Sequence, residues 1–346
     1  MVNSAIVIWM FDTESRRIMR KEVFGFVDNL EQALTLKTGI TRKYKHILVC
    51  GMGASAIGGA IFKDVMYYSS RVSVDSVKTF ALPPGEHKNT LLVAFSYSGN
   101  TMETLTVYKM AIDQGMDVLA VSHGGKLEQM SLEYGNKFIK IGGETIQPRS
   151  AIGWFLGVLA NIMTDATDVD LHSQMVEMIP RLRGYSDELG RQDSKAWDIA
   201  NLISDRIPVI YSTSETASVG MRFKNQLNEN AKLLAFSGLL PEFNHNELVG
   251  WCEDPLRKDF LPIIIVDLHE VQTAKTVRAT IDLIRSKGVR PVLIIAKGET
   301  LLERMIYVLM VGDCTSLYVA EIQGKDPCNI DPIIAIKDRL KKEFGE

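Results

Sequence analysis

What is scarce in this chain excludes several classes of protein at once. Its 346 residues hold four cysteines, Cys50, Cys252, Cys314 and Cys328. None shares a CxxC spacing, so neither a disulfide framework nor a zinc knuckle is expected. Cys50 and Cys314 sit in or beside apolar runs and read as free buried thiols. HxH, HxxE and mixed Cys/His clusters are missing too, which leaves no set of metal ligands at the usual spacing. A net charge of −3 supplies no basic field for nucleic acid and no polybasic strip for a membrane. The apolar stretch Ala5–Met10 has no positive residues before it, and Asp12 and Glu14 follow at once. Neither a signal peptide nor a membrane span is expected there, and a cytoplasmic location follows. No low-complexity stretch or obvious linker interrupts the chain. What is present, 46% apolar and 23% charged residues, matches a globular protein with a full core, and the length suits two domains.

Up to about Thr41, charge alternates with Leu, Ile, Val and Phe at helical spacing, which predicts one or two helices. Strand-like runs then recur at His46–Cys50, Arg71–Val77, Thr90–Phe95, Asp117–Val121 and Lys137–Ile141. Segments of helical period separate most of them, the pattern of a parallel sheet with helices on both faces. A helix is predicted over Ser150–Thr164, then a polar helical region to Asp193. A second series follows at Ile207–Tyr211, Leu233–Ala235, Leu261–Val266 and Pro291–Ala296, with helices over Thr216–Asn230 and Val271–Lys287 between them. The expectation is α/β, two similar doubly wound parallel-sheet units (a flavodoxin-like sandwich), one over 1–150 and one over 151–346.

The most informative stretch is Leu91–Thr104. An apolar strand ends in Ser96, Ser98, Gly99 and Thr101, and a helical pattern starts immediately after. Such a turn aims backbone N–H groups and a helix dipole at one point. Three hydroxyls there suit a phosphate dianion. No Walker lysine is present, so a phosphate on a small molecule fits better than a nucleoside triphosphate. An earlier turn, Gly51-Met52-Gly53-Ala54-Ser55-Ala56, fits G-x-G-x-x-A, and Asp75 follows at the distance a dinucleotide fold would use. A short glycine match is weak evidence, because any tight strand-to-helix turn favours glycine. Two adjacent turns, Ser55 on one and three hydroxyls on the other, make a compact pocket for one phosphoryl group. In the second half the matching turn carries Glu215, a negative charge where a phosphate would sit, so that half is read as structural.

Three further segments carry chemistry. In Lys224–Lys232 the two lysines are explained by the helix dipole. An acid packed among amides is not, and Glu229 between Asn228 and Asn230 suits a held proton acceptor. Pro241–Trp251 places His245 between asparagines on a polar loop. Gly142–Ser150 places Arg149 after a proline at the start of a helix, where a guanidinium could hold a developing anion.

Together these segments resemble the phosphoglucose/phosphomannose isomerase family, built from paired sugar-isomerase (SIS) domains, over nearly the whole chain. The resemblance implies aldose–ketose isomerisation of a hexose 6-phosphate through a cis-enediol, with no cofactor, in a homodimer. It implies that Gly53, Ala54, Ser55, Ser96, Ser98 and Thr101 form the phosphate site, with Ala54 standing where the family usually has a glycine. Arg149 would stabilise the enediolate, Glu229 would be the base and His245 the ring-opening histidine. Asp326-Pro327 followed by Leu340 resembles the family's C-terminal helix, which makes Lys337 its catalytic lysine. Two other readings stay open: a non-catalytic SIS sensor of sugar phosphates, and an SIS enzyme acting on an amino-sugar phosphate.

Overall fold

The computed structural model describes residues 14–142, 147–203 and 205–344; the apolar stretch Ala5–Met10 lies outside them. Helices α1 (Glu14–Phe24) and α2 (Phe26–Leu34) open the described chain. Five parallel strands follow: β1 (His46–Cys50), β2 (Ser73–Val77), β3 (Thr90–Ser96), β4 (Asp117–Ser122) and β5 (Lys137–Lys140). They lie in the order β2-β1-β3-β4-β5. β3 is buried along its whole length, as an all-apolar run with a helix layer on each side requires. Helices α3 (Ala54–Ser69), α4 (Met102–Asp113) and α5 (Gly125–Glu133) connect the strands.

Helix α6 (Ile152–Ala166) packs against α2 and α3 and is apolar nearly all round. Helices α7 (Leu171–Leu189) and α8 (Lys195–Ile203) lead into a second parallel sheet. Its strands are β6 (Ile207–Ser212), β7 (Phe236–Leu239), β8 (Phe260–Val266) and β9 (Val292–Ile295), in the order β7-β6-β8-β9. Helices α9 (Ala217–Asn230), α10 (Glu247–Glu253) and α11 (Val271–Ser286) lie between them. The two orders match in their first four strands, so the repeat read from the sequence is a repeat of topology.

Two sequence expectations are corrected. β7 begins at Phe236, after the predicted Leu233–Ala235. The amide of Ala235 donates to the Asn228 side chain at 3.1 Å, and the ladder with β6 starts only at Phe236. The polar loop expected through Trp251 is a short 3-10 turn, Glu242–His245, followed by α10. The Asn246 side chain caps α10 by accepting from the Glu247 amide at 2.6 Å.

Helix α12 (Leu301–Ile322) packs on α7, α8 and α9, and helix α13 (Asp331–Phe344) closes the described chain. By length and composition α12 could cross a membrane, but 89% of its most apolar window is buried inside the protein. It also carries buried charges, each paired: Asp313 with Arg222 at 2.6 Å, and Arg304 with Asp267 at 2.6 Å. It is a core helix. One apolar cluster, running from Phe26 through Phe155 to Ile263 and Val319, underlies both sheets.

Candidate active site

In an open parallel sheet the helices after two neighbouring strands leave on opposite faces at one place, and a crevice opens there. In the first sheet that place lies between β1 and β3, which are paired from His46↔Thr90 to Cys50↔Ala94. The turns leaving these two strands carry Gly53, Ala54 and Ser55 on one side and Ser96, Ser98 and Thr101 on the other. Gly53 stands at φ +55° before α3, Ala54 is that helix's first residue, and Ser55 is buried in its first turn. A Cβ on Gly51 would lie 2.9 Å from the Phe95 carbonyl, so glycine is what lets the two turns approach. Ser96 Oγ and Thr101 Oγ1 lie 2.8 Å apart, Ser98 is exposed, and Thr101 is the residue before α4.

The hydroxyl turn is bolted to the loop after β4. The amides of His123 and Leu127 donate to the carbonyls of Tyr97 and Gly99 at 3.0 and 2.9 Å. Asn100 bridges the same gap, accepting from the Lys126 amide at 3.0 Å. Gly99 sits at φ +67°, and a Cβ there would fall 1.7 Å from the Gly124 carbonyl oxygen. These bonds and the close Gly99–Gly124 approach fix the turn against the neighbouring loop, the preorganisation that a ligand site needs. Asp75, where a dinucleotide fold would bind ribose, is committed to Lys63 at 2.7 Å and His46 at 3.2 Å. Burial would raise its carboxyl, but the hydrogen bond and charge of Lys63, with the His46 contact, hold it below the ordinary value.

A second cluster gathers Arg149 and Glu229. Arg149 lies in the 3-10 turn Pro148–Ala151, and Glu229 is the second-last residue of α9. The guanidinium is 5% exposed and spends its donors on three acceptors. Nε donates to Asn230 Oδ1 at 2.7 Å, Nη1 to Gln147 Oε1 at 2.8 Å, and Nη2 to the Pro327 carbonyl at 2.6 Å. The Glu229 carboxylate stands 3.7 Å from Nη1, outside hydrogen-bond range, with its side chain 30% exposed. Burial pulls Arg149 below its ordinary value and Glu229 opposes that pull, but a guanidinium stays charged. The result is a fixed cation beside a partly accessible carboxylate. Helix α3, whose first turn carries Ser55, packs against both the Arg149 turn and α9. That helix joins the hydroxyl turns to the cluster.

Sequence reading passed over the residues that hold this cluster together. Gln147 and Asn230 orient the guanidinium. Lys232, explained earlier by the helix dipole, donates to the carbonyls of Glu229 and Pro327. Partial burial and the Arg149 cation both lower Lys232 from the ordinary lysine value. The available signal was an amide-rich helix end; the partners lie far apart in sequence.

Two of the predicted residues stand apart. His245 ends its 3-10 turn exposed. That turn is anchored by buried Phe243 against Tyr211, whose hydroxyl donates to Glu247 at 2.5 Å and accepts from Trp251 at 2.8 Å. Lys337 lies on α13, nearly every residue of which is exposed. Among the described residues, no hydrogen bond or ion pair ties His245 or Lys337 to the Arg149 cluster.

At the matching point of the second sheet, oxygens of Glu215, Asp267 and Glu270 lie within 4.8 Å of one another. Glu270 accepts from Thr213 at 2.8 Å, and Arg304 holds Asp267. Burial first, then the neighbouring Glu270, pushes Glu215 up to about 7. Three carboxylates occupy the place where the first sheet presents hydroxyls.

The model of the bacterial phospho-glucose isomerase C-terminal SIS domain matches residues 192–340. A bifunctional phosphoglucose/phosphomannose isomerase of Aquifex aeolicus is 34% identical over 93% of this chain and 98% of its own. The chain belongs to the bifunctional phosphoglucose/phosphomannose isomerase family. A member from Thermoplasma acidophilum is 33% identical over 87% of this chain and 91% of its own. A more distant relative, named a D-glucosamine-6-phosphate 4-epimerase, comes from Sulfolobus acidocaldarius. It is 29% identical over 72% of this chain and 78% of its own. Among solved structures, a hypothetical protein from Thermus thermophilus superposes with a TM-score of 0.74. It covers 99% of this chain and 95% of its own at 14% identity, a likeness of fold alone. Membership makes the chain an isomerase with the two-sheet SIS architecture seen here.

Proposed function

We propose that this enzyme interconverts glucose 6-phosphate, and mannose 6-phosphate as well, with fructose 6-phosphate through a cis-enediol. The observation that carries the reading is the buried Arg149 guanidinium held 3.7 Å from the Glu229 carboxylate. This pair is joined through α3 to a rigid hydroxyl-lined anion turn. Ser55, Ser96, Ser98 and Thr101, with the backbone of Gly53 and Ala54, hold the phosphate. Anchoring far from the reacting carbons lets binding energy orient the sugar. Glu229 takes the proton from C2 and returns it to C1, while Arg149 offsets charge on the oxygen that becomes anionic. His245 moves the proton that opens the hemiacetal, and Lys337 assists. Both are exposed in the single chain, which supports a homodimer in which they complete the partner's site. The enzyme would serve glycolysis and gluconeogenesis in the cytoplasm.

A coupled assay on fructose 6-phosphate, mannose 6-phosphate and glucosamine 6-phosphate tests the reading. Turnover of the first two is expected. The Sulfolobus relative motivates the third arm, and turnover of glucosamine 6-phosphate alone would replace this proposal with an amino-sugar enzyme. Binding without turnover would make the protein a sensor. Glu229→Gln is expected to lower kcat by roughly 10^3-fold with KM little changed, within the usual range for loss of a general base.

A further inference from the structure

Only two described residues other than glycine adopt a positive φ, Asn89 at 59° and Lys232 at 55°. Asparagine tolerates that region through local hydrogen bonding, whereas lysine has no such help and the left-handed conformation strains it. Lys232 follows the end of α9, where the Leu227 carbonyl accepts from the amides of Ala231 and Leu233 at 3.2 and 3.3 Å. Helices that end this way usually carry glycine at such a place. Backbone strain at a residue that local stability would replace points to a task for the side chain.

The contacts say what that task is. Lys232 Nζ folds back onto the Glu229 carbonyl and lies 3.3 Å from the Pro327 carbonyl, which also accepts from Arg149 Nη2. One ammonium thus ties the turn that carries Glu229 to the backbone that fixes Arg149. We propose that Lys232 is a positioning residue that sets the Glu229 carboxylate against Arg149, and that this role keeps a lysine where the backbone favours glycine. The inference rests on the isomerase reading above. It assigns no bond from Lys232 to substrate.

Lys232→Gly relieves the strain while removing the ammonium, so stability and function are expected to move in opposite directions. Tm should stay the same or rise. kcat on fructose 6-phosphate should fall by at least about tenfold, with KM within about twofold because the phosphate turns are untouched. Lys232→Arg keeps both strain and charge and should hold kcat within a few-fold of wild type. Unchanged kcat in Lys232→Gly overturns the proposal. So does a lowered Tm with kcat reduced only in proportion to the fraction of enzyme folded, the result of a lysine that merely caps the helix. If wild-type enzyme turns over none of the hexose phosphates, the isomerase reading fails first and takes this inference with it. An active wild type with a fully active glycine variant sinks this inference alone.

Discussion

At the scale of single residues, the legible parts of the site were those encoded locally. Ser96, Ser98, Gly99 and Thr101 lie within six positions, so a single strand-to-helix turn gathers them, and the loop after β4 then braces it. The ring around Arg149 could not be read that way. Its acceptors are Gln147, Asn230 and Pro327, 2, 81 and 178 positions away. Only the folded chain brings them together. Gly99 offers a sharp test of the local part. Gly99→Ala places a methyl 1.7 Å from the Gly124 oxygen at a φ that alanine avoids, so the turn must move. The variant should be less stable by about 2 kcal/mol or more. Its KM for hexose phosphate should rise more than its kcat falls. Wild-type KM at full stability would mean that this turn does not hold the phosphate.

At the scale of elements, most strands appeared within a residue or two of where the apolar runs placed them, because a buried parallel strand must be a continuous apolar run. β7 is the exception that explains the rule. It lies at a sheet edge, largely exposed, and Phe236-Ser237-Gly238-Leu239 has no apolar run to read. Helix α12 posed the converse problem. It buries Glu303, Arg304 and Asp313 among apolar neighbours, and those charges are intelligible only once their partners are known.

The turns after β6 and β8 carry an element-scale prediction of their own. Glu215, raised from 4.5 to about 7, binds its proton more tightly folded than unfolded. Stability is therefore greatest where Glu215 is protonated, and falls as pH rises from about 4.5 through 7. Glu215→Gln mimics the protonated form. It should raise Tm at pH 8 and leave it nearly unchanged at pH 5. Thermal melts at the two values check this, and equal shifts at both would remove the basis for a raised Glu215.

At the scale of the whole molecule, sequence resemblance supplied the four candidate catalytic positions, but one chain joins only two of them. Arg149 and Glu229 meet in the interior, while His245 and Lys337 face outward on separate elements. If those two act across a homodimer, Glu229→Gln and His245→Ala chains should each be nearly inactive alone. Mixed and allowed to exchange subunits, they should recover part of the wild-type rate, because one site in each hybrid is intact. No recovery in verified hybrids would place His245 in its own chain's site or outside the chemistry altogether.

The Pro327 carbonyl gives the carboxyl-terminal tail a reach that its exposed position conceals. Two residues of backbone just ahead of α13, Pro327 and Cys328, are gripped by Arg149, Lys232 and Gln147. A pull on that last helix, whether from a fused tag or a docking neighbour, would be transmitted straight to the guanidinium. An exposed terminal helix is thereby tied to a buried cation.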